Sequence, residues 1–243
     1  MRLFGLIGYP LSHSFSKNYF AKKFEQEEIT GSRYDLFPLR TINELPVLLE
    51  KNPELEGLNV TIPFKKQVLP FLDESLIPEG LDACNCININ AGKLVGYNTD
   101  VTGFERSLLP LLKSYHKKAL VLGNGGATAA VVYVLHKLKI DFDIVSRSKH
   151  DGSAFTYKDI NKEILESSAV IINTTPLGMY PDTGTCPDIP YRFISEKHLL
   201  YDLVYNPAKT LFLQKGEERG AAVKNGEEML LLQAEESWRI WNS

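Results

Sequence analysis

Tryptophan, methionine and cysteine are scarce in this chain of 243 residues, at two, three and three copies. The cysteines, Cys84, Cys86 and Cys186, are odd in number and lack the spacing of a zinc site. Neither a disulfide framework nor a metal is expected, and free thiols point to a reducing, cytoplasmic setting. Charge of one sign is not in excess: 27 Lys and Arg stand against 30 Asp and Glu, a net of −3. No basic field is therefore available to hold a nucleic-acid backbone. No apolar run reaches the roughly 18 residues of a membrane helix. The short apolar run near the start is broken by Gly5, Gly8 and Pro10 and lacks a small-residue cleavage pattern, so no signal peptide is expected. Repeats, low-complexity segments and Gly/Ser linkers are missing too. The expected partner is a small molecule, with neither nucleic acid nor membrane, for a monomer or a homodimer.

What is present is ordinary for a globular protein, 44% hydrophobic and 23% charged. Strand-like and helix-like patches alternate, the grammar of an α/β chain. Leu3–Gly8 reads as a short apolar strand, and Ser16–Glu28 carries Tyr19, Phe20 and Phe24 on one helical face. Tyr34–Leu39 is extended, with Pro38 marking an edge or a strand end. Leu58–Ile62 is a buried strand closed by Pro63, and Lys65–Phe71 begins another helix. Cys86–Asn90 and Lys93–Tyr97 flank Ala91-Gly92, a two-residue hairpin signal. A helix over 101–113 ends near Pro110. Beyond it, strands at Lys118–Leu122, Phe142–Val145, Ala169–Asn173 and Leu199–Val204 alternate with helical stretches, which implies a parallel sheet. A last helix, about Glu227–Trp241, sets Leu230, Ala234, Trp238 and Trp241 on one face. The reading is two domains, 1–100 and 101–226, joined by packed helices.

The first chemical motif is the run Gly123, Asn124, Gly125, Gly126, Ala127, Thr128, which joins a strand to the helix Ala129–Leu138. Glycines let a backbone approach a pyrophosphate, and the helix start supplies N–H donors and a positive dipole end. A tight αβ turn is the plainer reading, and the third fingerprint position is Thr128 instead of glycine. Strand and helix in place favour a dinucleotide. An NAD site would put an acid at the end of the next strand. Asp141 and Asp143 fall before or within it, and its end carries Ser146, Arg147, Ser148 and Lys149. A guanidinium among hydroxyls suits a 2′-phosphate, so NADP(H) is the expected cofactor.

Polar residues also gather at the strand ends of the first domain. Ser12, Ser14 and Ser16 surround His13 before a helix, where hydroxyls suit a carboxylate, although simple capping by Ser14 or Ser16 is the better reading of an isolated pair of serines. Thr61, Lys65, Asn85 and Asp100 follow, each a turn, cap or solvated charge if taken alone.

Together they are more specific. GYPLSHSFSK, NVTIPFKK, YNTD, GNGGAT, NTTPLGM, YDLVYNPAKT and NGEEMLLLQA occur in that order over nearly the whole chain. The arrangement resembles the shikimate dehydrogenase family. The resemblance implies an N-terminal α/β substrate domain, a Rossmann-like NADP-binding domain and a C-terminal helix, 227–243, packing back on the substrate domain. It implies NADPH-dependent reduction of 3-dehydroshikimate to shikimate, on the route to aromatic amino acids. Lys65 matches the family's catalytic lysine and Asp100 its acidic partner. Ser14 and Ser16 match the hydroxyls on the substrate carboxylate, with Thr61, Asn85, Gln233 and Tyr205 as further substrate contacts. Gly123 through Thr128 match the diphosphate loop, and Ser146, Arg147 and Ser148 the 2′-phosphate cluster. Thr174, Leu203 and Gly226 match the nicotinamide side.

Three departures stand out. Asp151 occupies the place of a second arginine, four residues after Arg147. The usual Gly-Leu-Gly-Met reads Gly226-Glu227-Glu228-Met229. The chain is short for the family, and its loop after Arg147 is trimmed. The alternatives are a quinate/shikimate dehydrogenase using NAD(H), against which Arg147 speaks, and a non-catalytic ligand-binding relative. The Lys65 and Asp100 pair argues against the second, because a sensor needs no acid and base.

Overall fold

The computed structural model describes every residue except Ser12, His13, His150 and Asp151. The chain forms two units, Met1–Thr102 with Leu231–Ser243, and Gly103–Leu230.

In the first unit β1 (Arg2–Gly8) is apolar almost throughout and buried from Leu3 onward, as a central strand covered on both faces must be. Around it lie α1 (Phe15–Gln26), β2 (Ser32–Pro38), α2 (Leu45–Lys51), β3 (Leu55–Val60), β4 (Glu74–Ser75), β5 (Cys86–Asn90) and β6 (Lys93–Tyr97). The sheet order is β2-β1-β3-β5-β6-β4. β1 pairs in parallel with β2 and β3, whereas β5 is antiparallel to both β3 and β6. Period-two alternation splits β1 between two cores. Leu3 and Ile7 join Leu45, Leu58 and Phe64, while Phe4 and Leu6 join Phe20, Tyr34 and Trp241. Trp241 belongs to the last helix, α7 (Glu227–Trp241). Its ring stacks on Phe4 at 4.9 Å and its indole N–H donates to the Ile87 carbonyl at 3.0 Å, while Trp238 meets Phe4 edge-on at 5.3 Å.

The second unit holds β7 (Lys118–Leu122), α4 (Thr128–Lys137), β8 (Asp141–Ser146), β9 (Phe155–Thr156), α5 (Lys162–Ser167), β10 (Val170–Asn173), β11 (Leu199–Asp202), α6 (Leu211–Glu217) and β12 (Ala222–Lys224). Its strands are all parallel, ordered β12-β11-β10-β7-β8-β9. That is the doubly wound order in which the crevice opens where strand order reverses, here between β7 and β10. Leu120, Leu122, Ile171, Leu200 and Phe212 form its core. The boundary between units falls inside α7 and inside α3 (Thr99–Leu108).

The α/β class is as read from the sequence. Lys65–Phe71 is not an α-helix: it is a series of turns closing in a single 3₁₀ turn, Leu69–Phe71. Pro70 has no N–H for a helical ladder, and burial of Phe64 and Val68 holds the segment down instead. The sequence reading also missed α2 and the short strands β4, β9 and β12. Among the described residues, no helix is long and apolar enough to cross a membrane.

Candidate active site

The topology of the first sheet collects polar residues at one end. β1 and β3 run parallel, β5 opposes β3 and β6 opposes β5. The C-terminal ends of β1, β3 and β6 therefore share an end with the start of β5. Ser14 and Ser16 follow β1, Thr61 and Lys65 follow β3, Asn85 precedes β5 and Asp100 follows β6.

Lys65 Nζ donates to Asp100 Oδ2 at 2.6 Å, with both side chains mostly buried, at 22% and 15% exposure. Each is held by its own segment. Lys65 follows buried Phe64, and its carbonyl accepts from Cys84 N–H at 2.8 Å. Asp100 sits in the first turn of α3, whose start is capped by Asn98 Oδ1 accepting from Val101 N–H at 3.3 Å. The positive end of that helix favours a carboxylate there.

Asn85 is buried, accepts from Thr99 N–H at 2.6 Å and donates from Nδ2 to Thr99 Oγ1 at 3.0 Å. Thr99 Oγ1 in turn reaches Gln233 Oε1 at 3.4 Å, so α7 delivers Gln233 to the same cluster. Ser14 caps α1, accepting from Lys17 N–H at 3.2 Å, and half-buried Ser16 opens the helix against the Tyr34 phenol. Ser12 and His13 lie outside the described residues. Thr61 is half-buried, its N–H bound to the Ile7 carbonyl at 3.0 Å. Tyr205 stands in the second unit, half-buried on the turn after β11.

Sequence reasoning missed the layer behind these residues. Tyr34 donates to Asn59 Oδ1 at 2.8 Å, and Asn59 donates to Ser237 Oγ at 2.9 Å and to the Asn85 carbonyl at 3.3 Å. The signal was Asn59 itself, an amide inside an otherwise apolar strand end, which burial obliges to find partners.

In the second unit Gly123 follows β7 at φ +108°, and a Cβ there would stand 2.8 Å from Thr174 Oγ1 and Thr175 Cγ2. Gly125 and Gly126 face open space. Thr128 folds the loop back: its Oγ1 accepts from Gly125 N–H at 3.1 Å and lies 2.9 Å from Thr174 Oγ1. A cavity of about 450 Å³ opens at these strand ends, lined by Gly123, Asn124, Gly125, Ser146, Arg147, Ser148, Tyr157 and residues 174–177. Ser146 Oγ donates to the Ser148 carbonyl at 2.5 Å, tightening the turn that presents Arg147. Arg147 is exposed and makes no ion pair among the described residues. Asp143 is engaged by Lys118 at 2.7 Å, so it offers no free acid to a ribose. Asp151 lies outside the described residues.

Leu203 and Gly226 sit together, since a Cβ on Gly226 would fall 2.1 Å from the Leu203 carbonyl oxygen. Neither is among the residues that line that cavity. Glu228, in place of the family's second glycine, pairs with Lys224. Also missed was Asp202, fully buried, which accepts from Asn173 Nδ2 at 2.9 Å, Val204 N–H at 3.0 Å and Thr210 Oγ1 at 2.5 Å. Burial pushes its carboxyl up to about 6. Asn173 Oδ1 passes the anchorage to the cavity wall, accepting from Thr175 N–H at 3.0 Å and Thr175 Oγ1 at 2.6 Å.

The cavity fits a phosphorylated dinucleotide: an open glycine loop at a helix start and, among the described residues, a guanidinium without an ion pair and a buried Tyr157 hydroxyl without a partner. Among the described residues, no group of three His, Cys, Asp or Glu converges to hold a metal.

Residues 6–87 match the model of the shikimate dehydrogenase substrate-binding domain. A shikimate dehydrogenase (NADP(+)) of Carboxydothermus hydrogenoformans is 36% identical, over 99% of this chain and 91% of the relative. The chain belongs to the shikimate dehydrogenase family. Among solved members, the Thermus thermophilus shikimate dehydrogenase in complex with NADP(H) and shikimate superposes with a TM-score of 0.86 at 28% identity, covering 99% of this chain and 93% of that one. A quinate dehydrogenase of Corynebacterium glutamicum in complex with NAD reaches 0.85 at 25% identity, covering 99% and 93%. The shikimate dehydrogenase fold thus hosts both chemistries at equal likeness, and the side chains decide between them.

Proposed function

We propose that Lys65 and Asp100 form the acid–base centre of an NADPH-dependent reduction of 3-dehydroshikimate to shikimate. The protein is an oxidoreductase of its family, and the observation that carries the residue assignment is the 2.6 Å contact of Lys65 with Asp100 at the shared strand end. Bound NADPH supplies a hydride to the ketone carbon. As the C=O π bond gives its electron pair to oxygen, the Lys65 ammonium stabilises the developing alkoxide and donates its proton there. The lysine, left neutral, regains a proton from solvent. Asp100 orients the ammonium and accepts from a substrate hydroxyl. Ser14 and Ser16 hold the carboxylate, and Thr61, Asn85, Gln233 and Tyr205 bind the ring oxygens. Gly123–Thr128 cradles the diphosphate, Ser146, Arg147 and Ser148 take the 2′-phosphate, and Thr174, Leu203 and Gly226 stand on the nicotinamide side.

Arg147, which makes no ion pair among the described residues, and Asp143 held by Lys118 favour NADP over NAD. On this reading the substrate is a small molecule and the enzyme is cytoplasmic, a monomer or homodimer without nucleic-acid or membrane partners. The test is kcat/KM for shikimate and for quinate with NADP and with NAD, followed by the absorbance of the reduced cofactor. Highest efficiency with shikimate and NADP is expected. Higher efficiency with quinate and NAD overturns the assignment, and no turnover with any pair leaves a binding protein.

A further inference from the structure

β8 and β9 pair in parallel with Val145 opposite Phe155 and Ser146 opposite Thr156. Arg147 and Tyr157 therefore leave neighbouring strands side by side at their C-terminal ends, where open α/β sheets take their ligands. Among the described residues no helix intervenes between β8 and β9, and Tyr157 follows β9 directly. Arg147, Ser148 and Tyr157 line the same cavity. The Tyr157 ring is seated against the apolar core of the second unit, so the position of its hydroxyl is set. That hydroxyl is buried and has no hydrogen-bond partner among the described residues. Burial pushes the phenol up, and the charge of Arg147 opposes the shift, so the guanidinium and the phenol lie within electrostatic reach of each other. An unpaired buried donor is a standing cost to the fold that a ligand oxygen can relieve.

We infer that Tyr157 is the second donor to the ribose 2′-phosphate, its O–H sharing that phosphate with the Arg147 guanidinium. The inference rests on the NADP reading and makes Tyr157 a specificity-determining residue of this chain. Calorimetric titration of the full chain with adenosine 2′,5′-bisphosphate and with adenosine 5′-monophosphate tests it without turnover. The wild type should prefer the bisphosphate. Tyr157→Phe should weaken the bisphosphate by about 10-fold or more, the lower range for a hydrogen bond to a charged group. It should leave the monophosphate unchanged and not lower the Tm, because the lost hydroxyl has no partner among the described residues. Unchanged bisphosphate binding overturns the inference. So do equal losses for both probes, which would make the ring a wall for adenosine, and so does a lowered Tm. These three outcomes leave the NADP reading standing, whereas a wild type with no preference for the bisphosphate removes that reading and Tyr157's role together.

Discussion

Asp202→Asn isolates a buried carboxylate that anchors, through Asn173 and Thr175, one wall of the candidate cofactor cavity. The wild-type carboxyl titrates at about 6 in the fold, against about 3.9 in an unfolded chain. Its folded value is the higher one, so protonation favours the native state. The contribution is fully present below about pH 4 and is lost as pH rises through about 6. Roughly two units at 1.36 kcal/mol each give about 3 kcal/mol. The asparagine cannot titrate. It keeps an oxygen for Asn173 and Val204 but replaces the acceptor of the Thr210 hydroxyl with a donor, a cost of about 1–2 kcal/mol at any pH. Scanning calorimetry of both proteins from pH 4 to 7 cancels the groups they share. The Tm of the wild type, relative to the variant, should rise by about 10 °C as pH falls from 7 to 4. Parallel Tm curves would refute the reasoning, and would mean that the three hydrogen bonds to Asp202 offset its burial in full.

Lys65→Ala should lower kcat by at least about 100-fold, the lower range for a positioned acid, with a much smaller change in substrate affinity. Turnover above about a third of wild type would move the role elsewhere, with exposed Lys66 next in line. Replacing Ser14 and Ser16 together by alanine should weaken substrate binding to the enzyme–cofactor complex by about 1.5–3 kcal/mol per lost bond, with cofactor affinity intact. An unchanged Kd would leave Ser14 as the helix cap it already is. Arg147→Ala should raise KM for NADP by about 10- to 150-fold and leave KM for NAD nearly unchanged. Equal losses would assign the arginine to the adenosine or the loop.

The legible parts of the fold were those in which local signals agree. β1 shows as an unbroken apolar run, and the hairpin shows through Ala91 and Gly92, both of which take positive φ, at 50° and 81°. The glycine loop shows through its place between β7 and α4. The illegible parts lack a period to read. α2 is seven residues long with Pro46 in its first turn, and β9 and β12 have two and three residues, held by neighbours instead of by pattern. The expected helix at Lys65 failed because its apolar spacing, Phe64 and Val68, serves a turn as well as a helix. In the site, residues that would face a ligand were readable through the family's motifs. Those that act on other residues, Asn59, Thr99, Ser237 and Asp202, were not, because only the folded topology brings their partners within reach.

Both tryptophans of the chain, Trp238 and Trp241, sit in the part of α7 that belongs to the first unit, packed on Phe4. The second unit, with the candidate cofactor cavity, has no indole. Intrinsic tryptophan emission is therefore a private signal of one half of the molecule. A melt followed by that emission reports the aromatic core around Phe4 and Phe20, while heat capacity reports both halves. Comparing the two midpoints in one sample measures how tightly the halves share a single unfolding transition. Saturating the protein with adenosine 2′,5′-bisphosphate sharpens the comparison, since any rise in the emission midpoint then has to be transmitted from the half that holds the ligand.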